Sequence, residues 1–186
     1  MTAVQSVFYF LDKANRSEYF EIKEFIMKKE KKTNVMRILD KEHISYVAKS
    51  YEYSIDDLSG VHAAAVLGYS PDMVYKTIVT TGDKTGPVVF CLPSEKELDL
   101  KAAARISGNK KIEMIHVKDL PAITGYIRGG CSPIGMKKQF PTFLDISVND
   151  HKEISISAGQ RGRQIIIAPK DLIQLIHATT EDITQK

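Results

Sequence analysis

The chain has 186 residues, 43% of them hydrophobic and 26% charged, enough to fold around one full core. A net charge of +3 with a pI near 8.7 is compatible with RNA contact but excludes the strongly basic tail type. No apolar run approaches the roughly 20 residues that span a bilayer, and the five histidines and two cysteines lack zinc spacing, so no membrane, metal or cofactor is expected.

Residues 1–26 differ in character from the remainder of the chain. Phe8, Tyr9, Phe10, Tyr19, Phe20 and Phe25 crowd there, without the pattern of a secretory leader. Met27-Lys28-Lys29-Glu30 then reads as a natural bacterial start. The expectation is a domain over 27–186, preceded by a non-native or extra extension at 1–26. The alternative is a genuine amphipathic helix docked through its aromatics.

Thr33 can cap a helix to about His43, with Val35, Met36, Ile38 and Leu39 on its apolar side. Residues 44–53 read as a strand. Ser59 caps a second helix, ended by Gly68. Residues 73–81 form a strong strand. Alternation places Val74, Lys76, Ile78 and Thr80 on one face and Tyr75, Thr77 and Val79 on the other. A turn at 82–86 returns it antiparallel through 87–92. Asp99 caps a helix closed by Gly108. A strand at 112–115 and a short helix at 117–123 come next. Residues 143–148, 153–157 and 164–168 read as strands, and Pro169 opens a last helix. Several strand pairs look antiparallel and no repeat is evident. The expected class is α+β, a single domain around one mixed, curved sheet.

Between the short helix and residue 143 lies Gly125-Tyr126-Ile127-Arg128-Gly129-Gly130-Cys131-Ser132-Pro133-Ile134-Gly135. Its glycines let backbone N–H groups approach a ligand oxygen, the anatomy of an anion or oxyanion site. It lacks the ending of a P-loop and the Gly-x-Gly-x-x-Gly spacing. A purely structural turn cluster is the competing reading. Lys76 has one too: an edge-strand lysine whose stem covers apolar surface.

Four pieces occur in order: Val74-Tyr75-Lys76-Thr77-Ile78-Val79, Leu98-Asp99-Leu100-Lys101, the glycine loop, and Ser157-Ala158-Gly159-Gln160-Arg161-Gly162. Together they resemble the YbaK/EbsC family of trans-editing aminoacyl-tRNA deacylases, relatives of the editing domain of bacterial prolyl-tRNA synthetase. The resemblance runs over about 33–182.

It implies a barrel-like mixed sheet flanked by helices, a cytoplasmic setting in translation, and a pocket for the aminoacyl end of a mischarged tRNA(Pro). The partners implied are the tRNA(Pro) acceptor end and prolyl-tRNA synthetase. It further implies a catalytic lysine at Lys76, a pocket tyrosine at Tyr51, the glycine loop with Gly125, Tyr126 and Ser132, an acidic position at Asp145, and a small-residue turn with Ser157 and Gly159. Cysteine is the expected amino acid to be removed, with alanine an alternative.

Ester cleavage builds charge on a carbonyl oxygen. Backbone N–H groups around Gly129 and Gly130 suit that oxyanion, and Lys76 suits positioning and charge stabilisation. Cys131 is the tempting nucleophile, but no histidine is near it in sequence; a small packing residue is the plainer reading. Asp145 reads either as a base or substrate ligand, or as a strand-end aspartate bonded to backbone. A cysteinyl substrate brings its own thiol as attacker. Lys110, Lys111, Lys137, Lys138, Arg161 and Arg163 are candidate phosphate contacts. A non-catalytic aminoacyl-tRNA or nucleic-acid-binding regulator is the rival class.

Overall fold

The computed structural model describes residues 31–186, and the expectation for residues 1–26 lies outside the described residues. Helix α1, Asn34–Lys41, is capped by the Thr33 hydroxyl, which accepts from the Met36 N–H, and it buries Val35, Met36 and Leu39. Strand β1, Tyr46–Ser50, comes next. Helix α2, Gly60–Leu67, starts under the Ser59 cap and ends at Gly68 with φ +72°, the left-handed stop that glycine adopts freely.

After a 3-10 turn at Pro71–Met73, β2 (Tyr75–Gly82) pairs antiparallel with β3 (Gly86–Pro93), Lys76 opposite Leu92. Helix α3 (Leu100–Ile106) is capped by Asp99, and β4 (Ile112–Met114) returns beside the far end of β2. Helix α4 (Leu120–Thr124), β5 (Thr142–Asp145), β6 (Ile154–Ser157), β7 (Arg163–Ile167), α5 (Pro169–Ile176) and β8 (Thr179–Glu181) complete the order.

The strands form two sheets rather than the single curved sheet expected. One runs β1-β7-β6 and the other β4-β2-β3-β5-β8. A single parallel bridge, Val74 to Ser155, joins them where β2 begins. The class is α+β, with a mixed second sheet in which β3 pairs parallel with β5.

Two hydrophobic clusters explain the arrangement. The larger gathers α1, α5, the inward residues of β6 and β7, and the Tyr75–Val79 face of β2. The smaller puts Val88, Phe90, Leu92 and Ile112 against Ala103 and Ala104 of α3, with Ile78 packed on its edge. The second sheet is thus covered on both sides, which is why β3 buries six consecutive residues instead of alternating. The alternation read in β2 holds: Ile78 faces α3 while Tyr75 and Val79 face the larger core.

Two details depart from the sequence reading. The strand begun at 142 stops at Asp145, whose side chain accepts from the Ser147 N–H and caps a 3-10 helix, Ile146–Asp150. A carboxylate that can bond its own backbone two residues on favours a turn over a continued strand. Strand β8 was not foreseen; three residues after a helix carry too little periodicity to announce a strand. Past it, the chain pairs with the segment leading into α3: the Asp99 N–H donates to the Ile183 carbonyl and the Gln185 N–H to the Glu97 carbonyl.

Candidate functional site

Where β2 starts and the two sheets meet, a cavity of about 330 Å³ opens. Lys76 and Thr77 enter from β2, and Gly129 and Cys131 from the glycine loop. Tyr51 and Ser157 come from the first sheet, and Ser59 and Gly60 from the start of α2. Gly60 is needed there. A Cβ on it would lie 2.6 Å from the Ser94 Cβ, so the helix start reaches the cavity wall only because that residue has no side chain.

Lys76 keeps its side chain about one-quarter exposed, and its Nζ lies 3.1 Å from Glu97 Oε1. The ammonium is therefore held at the cavity mouth by a carboxylate that is itself mostly in water. Tyr51 is half-buried, and its phenol bonds the Gln164 side chain; Gln164 Oε1 accepts from the Ser155 hydroxyl. Burial pushes the Tyr51 phenol up, opposed by the bonds to Gln164 and the Gly162 backbone. Ser157 Oγ accepts from the Gly159 N–H at 3.2 Å.

The glycine loop divides into two kinds of position. Gly129 has φ +83°, and among the described residues its N–H meets no hydrogen-bond partner; Leu58 packs over it. The N–H of Gly130 donates to the Ile127 carbonyl at 3.0 Å, and its Cα packs on the backbone of Gln160 and Arg161. That amide closes a turn, so it is already engaged within the loop.

The remaining expected residues stand behind the cavity rather than in its wall. Gly125 ends α4 with φ +86°. Tyr126 is buried and donates to the Ile134 carbonyl at 2.6 Å. Ser132 is fully buried and accepts from the Ile134 N–H. Gly159, at φ +87°, lets Tyr126 and Val35 pack where a Cβ would sit 3.0 and 3.1 Å from them. These four shape the loop that carries Gly129.

Asp145, 4% exposed, accepts from Ser147 Oγ at 2.6 Å and from the Ile183 N–H. It reaches the cavity only through Ser147, whose hydroxyl meets the Tyr75 phenol at 2.8 Å. Burial pushes the Tyr75 phenol up to about 12.

Burial likewise pushes the Cys131 thiol up to about 12, so it stays protonated at neutral pH and is a poor nucleophile. Sequence reasoning missed Gln164, Glu97, Thr77 and Ser94. Only Gln164 left a signal, as the one amide opening an otherwise apolar run, Ile165-Ile166-Ile167. Among the described residues no three His, Cys, Asp or Glu side chains converge to hold a metal. No helix among them is long and apolar enough to cross a membrane.

Taken together, the residues lining the cavity include an ammonium, a glycine whose amide is unpaired among the described residues, a phenol and hydroxyls around a space of small-ester size. Such a set can bind an ester carbonyl and a ribose and can stabilise an oxyanion.

Comparison with known proteins agrees with this chemistry. The chain is 49% identical over 159 residues to EbsC of Enterococcus faecalis, named as a candidate Cys-tRNA(Pro)/Cys-tRNA(Cys) deacylase; the match spans 86% of this chain and 97% of that protein. It is 22% identical over 121 residues to the uncharacterised protein YwhH of Bacillus subtilis, covering 65% of this chain and 76% of that one.

In fold it is similar to a candidate trans-editing enzyme for prolyl-tRNA synthetase (TM-score 0.71, 23% identity, 82% of this chain and 95% of that one). It is also similar to a hypothetical protein of known structure (TM-score 0.74, 18% identity, 81% and 99%). The aminoacyl-tRNA editing domain profile matches residues 59–175, and the chain belongs to the aminoacyl-tRNA editing domain family.

Proposed function

We propose that this protein is a trans-editing hydrolase that cleaves the aminoacyl ester of mischarged tRNA(Pro), with cysteine as the amino acid released. The observation that carries the reading is Lys76 at the mouth of a cavity that also holds Gly129, Tyr51 and Ser157. The acceptor end of tRNA(Pro) is the substrate, prolyl-tRNA synthetase the protein partner and the cytoplasm the setting. The domain proper begins near residue 27.

In this reading the loop amides at Gly129 and Cys131 face the carbonyl oxygen as charge develops. Lys76 exchanges Glu97 for the substrate and stabilises that charge or the terminal phosphate. Tyr51, fixed through Gln164, and Ser157 orient the ribose and the amino acid. With the Cys131 thiol held protonated, the attacker is supplied from outside the protein. A cysteinyl substrate folds its own thiol onto the ester carbonyl: the S–C bond forms, the ribose oxygen leaves with a proton, and water opens the resulting thiolactone.

Rates of amino-acid release from cysteinyl-, seryl-, alanyl- and prolyl-tRNA(Pro) test this. Cysteine is expected to be lost at least about tenfold faster than serine, its isostere without a thiol. Equal rates for the two would remove the thiol mechanism, and faster alanine release would move the specificity.

A further inference from the structure

Outside this cavity, a second one of about 340 Å³ lies between α3 and the loop entering β4. Its cationic wall is Lys101, Arg105, Lys110 and Lys111, over a floor that includes Ala104 and Ile112. All four cations are exposed, and no carboxylate lines the groove. In a chain with 26 basic and 23 acidic residues, that segregation is a feature of the groove, not of the composition.

The cations are also held in place. Lys101 and Arg105 are four residues apart on one helix face. The N–H groups of Lys110 and Lys111 both donate to Asp83 Oδ1, at 2.8 and 3.1 Å. Asn109, buried, ties this loop to the β2–β3 turn through Lys84 and Thr85. Glu113 pairs with Lys111 at 2.6 Å with both side chains well exposed, a pairing that a phosphate can replace at little cost, while the Asp83 carboxylate is engaged by the two backbone amides.

The groove lies on the helix that follows the partner of Lys76 in sequence. Helix α3 packs on the face of β2 that carries Ile78 and Lys76. It begins just after Glu97, the partner of Lys76, and ends at the loop beside Gly82. Lys101 lies four residues past Glu97, and Lys111 precedes Ile112, which pairs with Gly82 at the far end of β2. A nucleic-acid strand carries a phosphate every ~3.4 Å along its axis, so α3 alone, about 10 Å long, runs past about three phosphates.

We infer that the α3–β4 groove is the docking surface for the phosphate backbone of the tRNA acceptor stem whose aminoacyl end enters the Lys76 cavity. This rests on the editing reading for the identity of the RNA. The contacts are to backbone, so they position the stem and carry little sequence preference.

The test compares the full-length protein with a variant carrying Lys101→Gln, Arg105→Gln, Lys110→Gln and Lys111→Gln, all surface changes. Fluorescence anisotropy with uncharged tRNA(Pro) is read across about 50 to 200 mM salt. The variant is expected to bind roughly tenfold or more weakly at about 150 mM, with a salt slope reduced by about 2 to 4. Its KM for cysteinyl-tRNA should rise while cleavage of cysteinyl-adenosine, too short to reach the groove, is unchanged.

Equal affinity and slope for the two proteins would overturn the inference, as would an equal loss on cysteinyl-adenosine. Should the unaltered protein cleave no ester yet show groove-dependent tRNA binding, the groove stands and the editing reading falls.

Discussion

Lys76 Nζ and Glu97 Oε1 lie 3.1 Å apart at the mouth of the cavity, the lysine on β2 and the glutamate in the segment held by the C-terminal residues. The pair is largely solvated on the glutamate side, with 72% of that side chain exposed. Exposed pairs of this kind are worth at most about 1 kcal/mol. Glu97→Gln is therefore expected to change unfolding stability by less than that and to keep deacylation within about tenfold. Lys76→Met should be equally stable while losing at least about a hundredfold in kcat/KM. Urea unfolding beside deacylation rates separates the two. An equal activity loss in both variants would mean that the pair, not the ammonium, is what the reaction needs.

Gly129 and Gly159 share a left-handed backbone but face different surroundings. Alanine at 159 would press on the Tyr126 ring and Val35 as well as strain the backbone, a cost of about 2 to 4 kcal/mol. Alanine at 129 meets the Leu58 side chain first, so about 1 to 2 kcal/mol is expected, with activity lost beyond what stability explains. Thermal melts and deacylation rates on the folded proteins check the order.

Asp145 bonds Ser147 and the Ile183 N–H from a buried position. Asp145→Ala should cost about 1 to 3 kcal/mol through the lost cap and an unsatisfied backbone donor. The folded fraction should keep kcat/KM within about tenfold, as befits a residue outside the cavity wall. A larger loss of activity at full stability would return the residue to a role in substrate binding.

Four groups, the buried Tyr75, Tyr126 and Cys91 and the partly buried Cys131, are each pushed up to about 12 by desolvation. In the unfolded chain they ionise near about 8.5 to 10. Above about pH 9 the unfolded chain releases protons that the folded one keeps, so their stabilisation is complete below that pH and is lost as pH rises toward about 12. The urea midpoint should fall over that range, and Cys131→Ala should flatten part of the fall. The same variant should deacylate within about tenfold of the wild type at neutral pH, since a lost covalent nucleophile would cost far more.

The features legible in the sequence were those that local chemistry decides. Thr33, Ser59 and Asp99 cap the helices expected, and Gly68 stops one of them. The β2–β3 hairpin and the two faces of β2 come from alternation. The family was legible because four motifs occur in order. Less legible was what depends on long-range closure. One sheet became two because the link between them is the isolated Val74–Ser155 bridge just before β2 rather than a ladder, a relation that no local pattern encodes.

The glycine loop was legible as a dense turn segment, but its division was not. The Gly129 amide meets no partner among the described residues, whereas Gly130 spends its own on Ile127, and the two look alike in sequence. Gln164 and Glu97 reach the site from β7 and from the approach to α3, outside the motifs that carried the resemblance.

The most direct test of the central claim measures amino-acid release from cysteinyl-tRNA(Pro) with wild type and Lys76→Ala side by side, with tRNA binding measured on the same samples. Rapid release by the wild type, none above background by the variant and tRNA bound by both is the predicted result. Binding without release by the wild type would contradict the account and leave a protein that holds tRNA without editing it.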